Sequence, residues 1–248
     1  MKLAATTARF KMPSPYGLEL IESCLTCPHH RDRLFCDLSP EALKHLAEIT
    51  SASSYPKGAF LFMEGQDPRG IFIVCSGRVK LSGSSSAGKT MISRFAEAGE
   101  VLGVASVISG RPYVLTAEVF EPTQANFVSS AHFMDFLRKH GEAALRAAQQ
   151  LAENYDAALL ELRNVGMSHS AEEKLARFLL DWSAKHPGTK NHNHFKLSLT
   201  HEEIASAIGA SRETVTRLFS EFKRKGLLQI KGSTVAILDR SAFKQMAG

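Results

Sequence analysis

The sequence predicts an α+β protein in which an antiparallel β-barrel of the jelly-roll kind is followed by a long helix and a small, mostly helical unit. Three observations predict it. Glycines punctuate β-rich runs between residues 55 and 128, apolar residues recur in heptads between 144 and 165, and the last third carries the whole net charge of +5. That last third, from Met167 onward, holds eight Lys and five Arg against six Glu and two Asp. Such an asymmetry predicts a polyanionic partner for one domain only.

The composition excludes several classes of protein. With 248 residues, 44% of them hydrophobic, the chain is long enough to bury one or two cores. Its four cysteines are too few for a disulfide scaffold. No apolar run approaches the roughly 20 residues that cross a bilayer, and the N-terminus shows no secretory signal. We therefore expect a cytoplasmic protein with no membrane partner.

The predicted barrel consists of short runs of β-branched and aromatic residues between glycine turns, such as residues 71–75, 79–81, 91–95 and 116–120. Many short strands with regular turn signals are typical of an antiparallel sandwich or barrel. A short helix is predicted before them, over 40–49. We assign residues 38–130 to a sensing barrel and 1–37 to a separate segment that contains cysteines.

A dimerisation helix with a hinge is predicted over 131–166. Its apolar residues alternate steps of four and three, which is the a/d spacing of a coiled-coil seam: Ala144, Ala148, Leu151, Tyr155, Ala158, Leu162 and Val165. This seam predicts pairing with a second copy of the chain, hence a homodimer. The alternative is that the stripe packs on the chain's own barrel.

The C-terminal unit, residues 167–248, shows the pattern of a winged helix-turn-helix. Thr200 followed three residues later by Glu203 forms a capping box that begins one helix, Gly209 permits a tight turn, and Ser211 caps the next helix. Apolar residues follow at helical spacing on one side of that second helix: Val215, Leu218, Phe219 and Phe222. A hairpin over 227–237 would form the wing.

The opposite side of this second helix carries side chains that suit DNA, which predicts that the helix enters a major groove. Arginine bonds guanine through two atoms, and glutamate accepts from cytosine. The predicted DNA-binding set comprises base-reading and phosphate-binding residues: Thr200, His201, Ser211, Arg212, Glu213, Thr216, Arg217 and Lys223. The partner is therefore double-stranded DNA; the alternative is a helical hairpin with ordinary surface charges.

Residues 56–58 (PKG), 62–65 (FMEG) and 73–80 (IVCSGRVK) resemble the cyclic-nucleotide-type barrel of the CRP/FNR family of bacterial transcription regulators. Residues 211–217 (SRETVTR) resemble the recognition helix of that family, and the resemblance spans about residues 38–243. It implies a sequence-specific regulator that binds a palindromic operator as a homodimer, with half-sites near TGTGA or TTGAT. It also implies contact with RNA polymerase and control by an effector or a redox signal at the N-terminal domain.

The family's cyclic-nucleotide pocket uses a Glu directly after a Gly-x-x-x-Gly turn and an Arg before a Ser/Thr-Ala pair. Here Val104 follows Gly103, and Leu115 precedes Thr116, with Arg111 four residues earlier. A phosphate buried beside Val and Leu would lack a charged partner, which is costly. We therefore take Gly103, Val104, Arg111 and Thr116 as the candidate effector pocket but expect no cyclic nucleotide there, and the cofactor or effector stays unknown.

Three cysteines near the N-terminus, Cys24, Cys27 and Cys36, include a Cys-x-x-Cys pair that suits an iron–sulfur cluster or zinc. FNR-like proteins hold a cluster with a similar group plus a cysteine late in the barrel, where this chain has none. A cluster, zinc and thiols without metal are the alternatives, and whether Cys75 in an early strand reaches the group is open. The alternative function is a redox-sensing protein centred on these cysteines.

No catalytic function is predicted. The Gly-x-Ser-x-Gly and His-Glu-x-x-His motifs of hydrolases and metalloproteases are absent. Residues 88–90 are expected to form a hairpin turn. We therefore do not expect an enzyme.

Overall fold

The computed structural model describes residues 15–18, 20–21, 24–27, 36–85, 90–166, 170–186 and 193–247, with the side chains of 161–166 left out. The chain divides into two compact units. One contains the residues up to Leu81 together with Phe95–Leu151, and the other contains Ser82–Arg94 together with Ala152–Gly248.

The larger sheet has six strands among the described residues: β1 (Ser51–Tyr55), β2 (Phe60–Phe62), β3 (Gly70–Ser84), β4 (Thr90–Glu97), β5 (Val101–Leu102) and β6 (Thr116–Ser129). Their order is β1-β6-β3-β4, with β2 paired to β6 and β5 paired to β3. Strands β1 and β2 both run antiparallel to β6. The described strands form an open path rather than a closed one, so the jelly-roll-like antiparallel class is confirmed without closure of the barrel.

Strand β3 is buried on both faces and separates two apolar clusters. Ile71 and Ile73 pack in one cluster with the helices, whereas Phe72 and Val74 pack in the other with aromatic residues of the sheet. Gly77 interrupts this strand with a φ of +81°, and a Cβ there would lie 2.2 Å from the carbonyl oxygen of Pro122. Only glycine fits this close crossing of β3 and β6.

Four helices accompany the sheet: α1 (Pro40–Glu48), α2 (Val104–Ser109), α3 (Ser130–Lys139) and α4 (Gly141–Gly166). Helix α1 buries Ala42, Leu43 and Leu46. The helical region that the sequence predicts from 131 is interrupted at His140, whose φ of −122° and ψ of 91° are extended. At the end of the predicted region 131–166, where the hinge is expected, α4 remains helical to Gly166, and the side chains of 161–166 lie outside the described residues.

The second unit holds the remaining elements: α5 (Ala171–Lys185), β7 (His194–Lys196), α6 (His201–Ile208), α7 (Arg212–Arg224), β8 (Leu228–Lys231), β9 (Thr234–Ile237) and α8 (Arg240–Ala247). The strands form a sheet in the order β7-β9-β8. The predicted winged helix-turn-helix is confirmed, and β7 adds a third strand to the wing.

Residues 83–90 (GSSSAGKT) have the residue spacing of a phosphate-binding loop. They lie between strand β3 and strand β4, whereas a phosphate-binding loop leads from a strand into a helix. The flanking strands therefore agree with the predicted hairpin and not with a nucleotide site, while residues 86–89 themselves fall outside the described part of the chain.

Candidate nucleic-acid interface

Local hydrogen bonds set the two helices of the helix-turn-helix. At the start of α6 the Glu203 amide donates to the Thr200 hydroxyl at 3.2 Å, and the Thr200 amide donates to the Glu203 carboxylate at 2.8 Å. Gly209 ends this helix with a φ of +68°. Ser211 then caps α7 by accepting from the Thr214 amide at 3.2 Å. The capping box, the turn and the second cap that the sequence predicts are all formed.

Helix α7 has one buried side and one exposed side. The predicted apolar residues are at most 2% exposed: Val215, Leu218, Phe219 and Phe222. The predicted base-reading side chains and Lys223 are all exposed: Arg212, Glu213, Thr216 and Arg217. The fold thus gathers these residues on the solvent side of one rigid helix, where a duplex can reach them.

His201 joins the beginning of α6 to the middle of α7. Its Nδ1 lies 2.8 Å from the Thr216 hydroxyl, and its ring stacks on Phe219 with centroids 5.0 Å apart. Burial lowers the pKa of His201, and the positive charges of Lys223 and Arg212 lower it further. The neighbouring cations make this corner of the unit a favourable place for a phosphate.

The charged side chains of α7 have different partners at its two ends. At the N-terminus, hydrogen bonds from the Glu213 amide and the Ser211 side chain lower the pKa of the Glu213 carboxyl. Toward the C-terminus, Glu221 lies 3.0 Å from Lys225 and 3.7 Å from Arg217. These surface pairs orient side chains more than they stabilise the fold, since exposed ion pairs contribute little.

Helix α4 turns mainly residues outside the predicted seam to its own core, although Leu151 of the seam also packs there. Ala143, Ala147 and Gln150 are buried in the monomer, and Gln150 exchanges hydrogen bonds with the backbone of Val101 at 3.1 and 2.6 Å. Among the predicted seam residues, Ala148, Tyr155 and Ala158 are exposed and Ala144 and Leu151 are half-buried. The side chains of Leu162 and Val165 lie outside the described residues.

The candidate effector positions differ in burial and in hydrogen-bond partners. Val104 is 2% exposed, Arg111 is exposed, and the Thr116 hydroxyl accepts from the Glu64 amide at 3.0 Å. A Cβ on Gly103 would lie 3.0 Å from the ring of Tyr113. This tyrosine is buried, stacks on Phe62 at 4.0 Å and donates to the Gly70 carbonyl at 2.6 Å. The stacked rings of Tyr113 and Phe62 thus occupy space beside the turn at Gly103.

The N-terminal cysteines and Cys75 line one apolar pocket, but no three His, Cys, Asp or Glu side chains of the described residues are grouped to hold a metal ion. Cys24, Cys27, Cys36 and Cys75 line it together with residues of α1 and β3, and none of the four is in a disulfide. Burial raises the pKa of the Cys24 thiol, the charge of Cys27 raises it further, and a hydrogen bond from Asn126 opposes them. Cys24 and Cys27 thus lie against residues of α1 and β3.

Comparison with known proteins gives a consistent result. Residues 52–140 match the family model for the cyclic nucleotide-binding domain, and residues 173–246 match the Crp-like helix-turn-helix domain. The transcriptional activator protein Anr of Pseudomonas aeruginosa is 27% identical over 213 residues, covering 85% of this chain and 86% of that protein. The CRP-like cAMP-activated global transcriptional regulator of Mycobacterium tuberculosis is 23% identical over 219 residues, covering 88% and 97%.

The chain belongs to the CRP/FNR family of transcription regulators. A solved structure of FixK2 from Bradyrhizobium japonicum has the same fold, with a TM-score of 0.71 and 21% identity over 81% of this chain and 98% of that one. This CRP/FNR regulator therefore has the DNA-binding unit that the sequence predicts, and the alternative of a helical hairpin without DNA is not supported. Within the described residues, no helix is long and apolar enough to span a membrane.

Sequence reasoning missed the polar side chains that this CRP/FNR regulator buries in its first unit. Gln124, 1% exposed, bonds both the amide and the carbonyl of Ile21, at 2.7 and 2.8 Å. Asn126 donates to the Cys24 sulfur at 3.9 Å. The sequence signal for this contact is the pair of amide side chains, Gln124 and Asn126, which lie two residues apart in a strand that is otherwise rich in apolar, buried residues.

Proposed function

We propose that two copies of this regulator bind one twofold-symmetric DNA site, and that each copy lays α7 in a major groove. The observation that carries the proposal is the division of α7 into a buried apolar side and an exposed side with Arg212, Glu213 and Arg217. A helix whose one side is fixed in a core presents its other side with a defined geometry, as base recognition requires.

The exposed residues divide into two roles. Arg212 and Arg217 suit guanine edges, and Glu213 suits cytosine, so they discriminate between base pairs. Lys223, Thr200 and His201 suit phosphates, which fix the position of the protein without reading sequence. Thr216 links the two groups of residues, because its hydroxyl is hydrogen-bonded to the phosphate-binding candidate His201.

Pairing through α4 is supported by the apolar side chains that the monomer leaves in solvent. Tyr155 is 64% exposed and Leu159 is 45% exposed, whereas the face toward the chain's own sheet is occupied by Ala143, Ala147 and Gln150. Apolar side chains such as Tyr155 and Leu159, which the monomer leaves in solvent, suit a second copy of the same helix. Family membership further supports contact with RNA polymerase, and a regulatory rather than a catalytic role.

The signal that controls the regulator is proposed to act on the first unit. The Mycobacterium tuberculosis relative is named for activation by cAMP. Val104 and Leu115 stand here where the family's phosphate-binding pocket has charged residues, and Tyr113 fills the adjacent space. A cyclic nucleotide is therefore not the ligand we propose.

The test is selection of bound duplexes from a random pool with the full-length chain, followed by binding titrations. We expect a palindromic consensus whose half-sites lie one helical turn apart. Arg212→Ala and Arg217→Ala should each weaken binding to the selected site by about tenfold or more. Lys244→Ala, an exposed lysine of α8, is the matched control and should leave the specificity unchanged. Equal affinity for every duplex, together with a monomer in solution, would overturn the proposal.

A further inference from the structure

The exposed face of helix α4 carries an apolar stripe that differs from the seam predicted from the sequence. Leu145 is 59% exposed, Tyr155 is 64% exposed and Leu159 is 45% exposed, although each is a large apolar side chain. Together with two exposed alanines they recur in alternating steps of three and four residues, which is the spacing of a coiled-coil seam. We call these five residues the outer stripe: Leu145, Ala148, Ala152, Tyr155 and Leu159.

The outer stripe shares Ala148 and Tyr155 with the predicted seam, and the two patterns differ in their other column of residues. In its first half the predicted seam uses Ala144 and Leu151, which are both half-buried. Leu151 packs against the core of its own chain, so it is not available to insert into a second helix. The corresponding positions of the outer stripe lie one residue later in each case, and they are exposed.

The rotation of the helix explains this difference in burial. Each residue advances an α-helix by about 100°. The face of α4 that packs on the chain's own core contains Ala143, Ala147 and Gln150. The predicted seam is centred about 90° round the helix from this buried face, whereas the outer stripe is centred about 150° from it, almost opposite. The outer stripe is therefore the part of α4 that a second helix can cover without displacing the chain's own core contacts.

The charges of α4 exclude the neighbouring stripe that contains the other exposed leucine, Leu160. At the same spacing, that stripe consists of Arg146, Gln149, Glu153, Asp156 and Leu160. In a parallel pair with twofold symmetry, each seam residue faces its own copy, so like charges would meet and repel each other. The outer stripe contains no charged residue, and this makes it compatible with a second copy of itself.

We propose that two parallel copies of α4 pair through the outer stripe, and not through the column of Ala144, Leu151 and Ala158. The inference rests on the proposed pairing of two copies and names the residues that meet in it. The alanines in the middle of the stripe let the two helices approach closely. The leucines toward its ends, Leu145 and Leu159, then bury apolar surface that the single chain leaves in solvent.

The experiment is disulfide cross-linking between full-length chains that each carry one added cysteine on α4, with the parent chain as the background for its native thiols. Three exposed alanines give matched substitutions. Ala148→Cys lies in both patterns, Ala152→Cys only in the outer stripe and Ala158→Cys only in the predicted seam. After mild oxidation by oxygen with a copper catalyst, we expect covalent dimers from Ala148→Cys and Ala152→Cys. Ala158→Cys should give at least about fivefold less, because a disulfide requires Cα atoms within about 7 Å of each other.

A second measurement uses two leucines that are equally exposed in the single chain, Leu145 at 59% and Leu160 at 58%. Sedimentation equilibrium should show a monomer for Leu145→Glu and a dimer for Leu160→Glu, because only the first buries a carboxylate between the helices. Cross-linking of Ala158→Cys that equals or exceeds that of Ala152→Cys, or a Leu145→Glu variant that stays dimeric, would overturn the outer stripe. A monomeric parent chain whose Ala148→Cys variant forms no cross-link would overturn the proposed pairing itself.

Discussion

In the DNA-binding unit, His201 donates a hydrogen bond from Nδ1 to the hydroxyl of Thr216, 2.8 Å away. The direction follows from Thr216, whose hydroxyl gives its only hydrogen to the Arg212 carbonyl at 2.9 Å and can only accept from the imidazole. Nε2 is therefore the nitrogen that gains or loses a proton. The same bond connects the start of α6 to the recognition helix α7.

We expect DNA binding to strengthen as the pH falls, through His201. Burial, Lys223 and Arg212 lower the pKa of this imidazole in the unbound protein, whereas a nearby phosphate would raise it. DNA binding then takes up a proton at His201. The affinity therefore rises as the pH falls through the pKa that His201 has in the complex, and it levels off below the pKa that His201 has in the unbound protein. Each unit of that pKa difference gives about tenfold tighter binding at low pH.

The measurement is a set of anisotropy titrations on the selected duplex between about pH 5 and pH 8. His201→Gln keeps a donor for Thr216 but does not titrate, so it should flatten the pH dependence. His194→Gln, at an exposed histidine of β7, is the control and should leave the dependence intact. A pH profile that His201→Gln leaves unchanged would contradict a phosphate contact by His201.

Lys223→Ala should weaken binding to every duplex to a similar extent. An exposed lysine at this end of α7 suits a phosphate. Without this contact, DNA binding would release one counterion fewer. The slope of log affinity against log salt should therefore fall by about 1. Lys244→Ala provides the comparison, and a change of consensus sequence in Lys223→Ala would instead assign this lysine to base reading.

The helix-turn-helix could be predicted because its signals are local. Thr200 and Glu203 form their capping box within a single turn, and Ser211 caps its own helix, so spacing alone specifies both starts. The pocket that the four cysteines line could not be predicted in the same way. It depends on Gln124 holding Ile21 across 103 residues of sequence, a contact that only the packed sheet creates.

Helix α4 shows why a heptad pattern is ambiguous. The spacing from Ala144 to Ala158 predicts a seam, but it does not reveal which face the monomer uses for itself. Gln150 looks like an outward polar residue in that pattern, yet it is 7% exposed because both atoms of its amide bond the backbone of Val101. A polar side chain whose hydrogen bonds are satisfied by the backbone can therefore lie on the buried face of a helix, just as an apolar side chain does.

Gly209→Ala should destabilise the DNA-binding unit by about 1 kcal/mol. Gly209 ends α6 with a φ of +68°, in the left-handed region that L-residues adopt at a cost, although no atom would clash with a Cβ. Gly141→Ala is the control, since that glycine lies at a helix start without positive φ and with open space. It should leave stability unchanged or raise it by about 0.5 kcal/mol. Urea unfolding measures both, and equal effects would refute the backbone argument.

Cyclic AMP should produce no saturable heat in calorimetry and should not change affinity for the selected duplex. The turn at Gly103 is followed by buried Val104, and the neighbouring space holds Tyr113, whose hydroxyl donates to the Gly70 carbonyl. A nucleotide phosphate there would lose its hydration without a cationic partner. Tight, stoichiometric binding would show that Arg111 reaches the phosphate from its exposed loop.

Tyr155→Glu should convert the proposed dimer to a monomer and reduce affinity for the selected site. Tyr155 is 64% exposed in the single chain, so the substitution should cost the fold of the monomer little, but it would bury a carboxylate in the pairing seam. Gln149→Glu adds the same charge on an exposed part of α4 away from the seam, next to Arg146 at 3.2 Å. Sedimentation equilibrium distinguishes the two variants. If both remain dimeric with wild-type affinity, the subunits pair through a surface other than this seam.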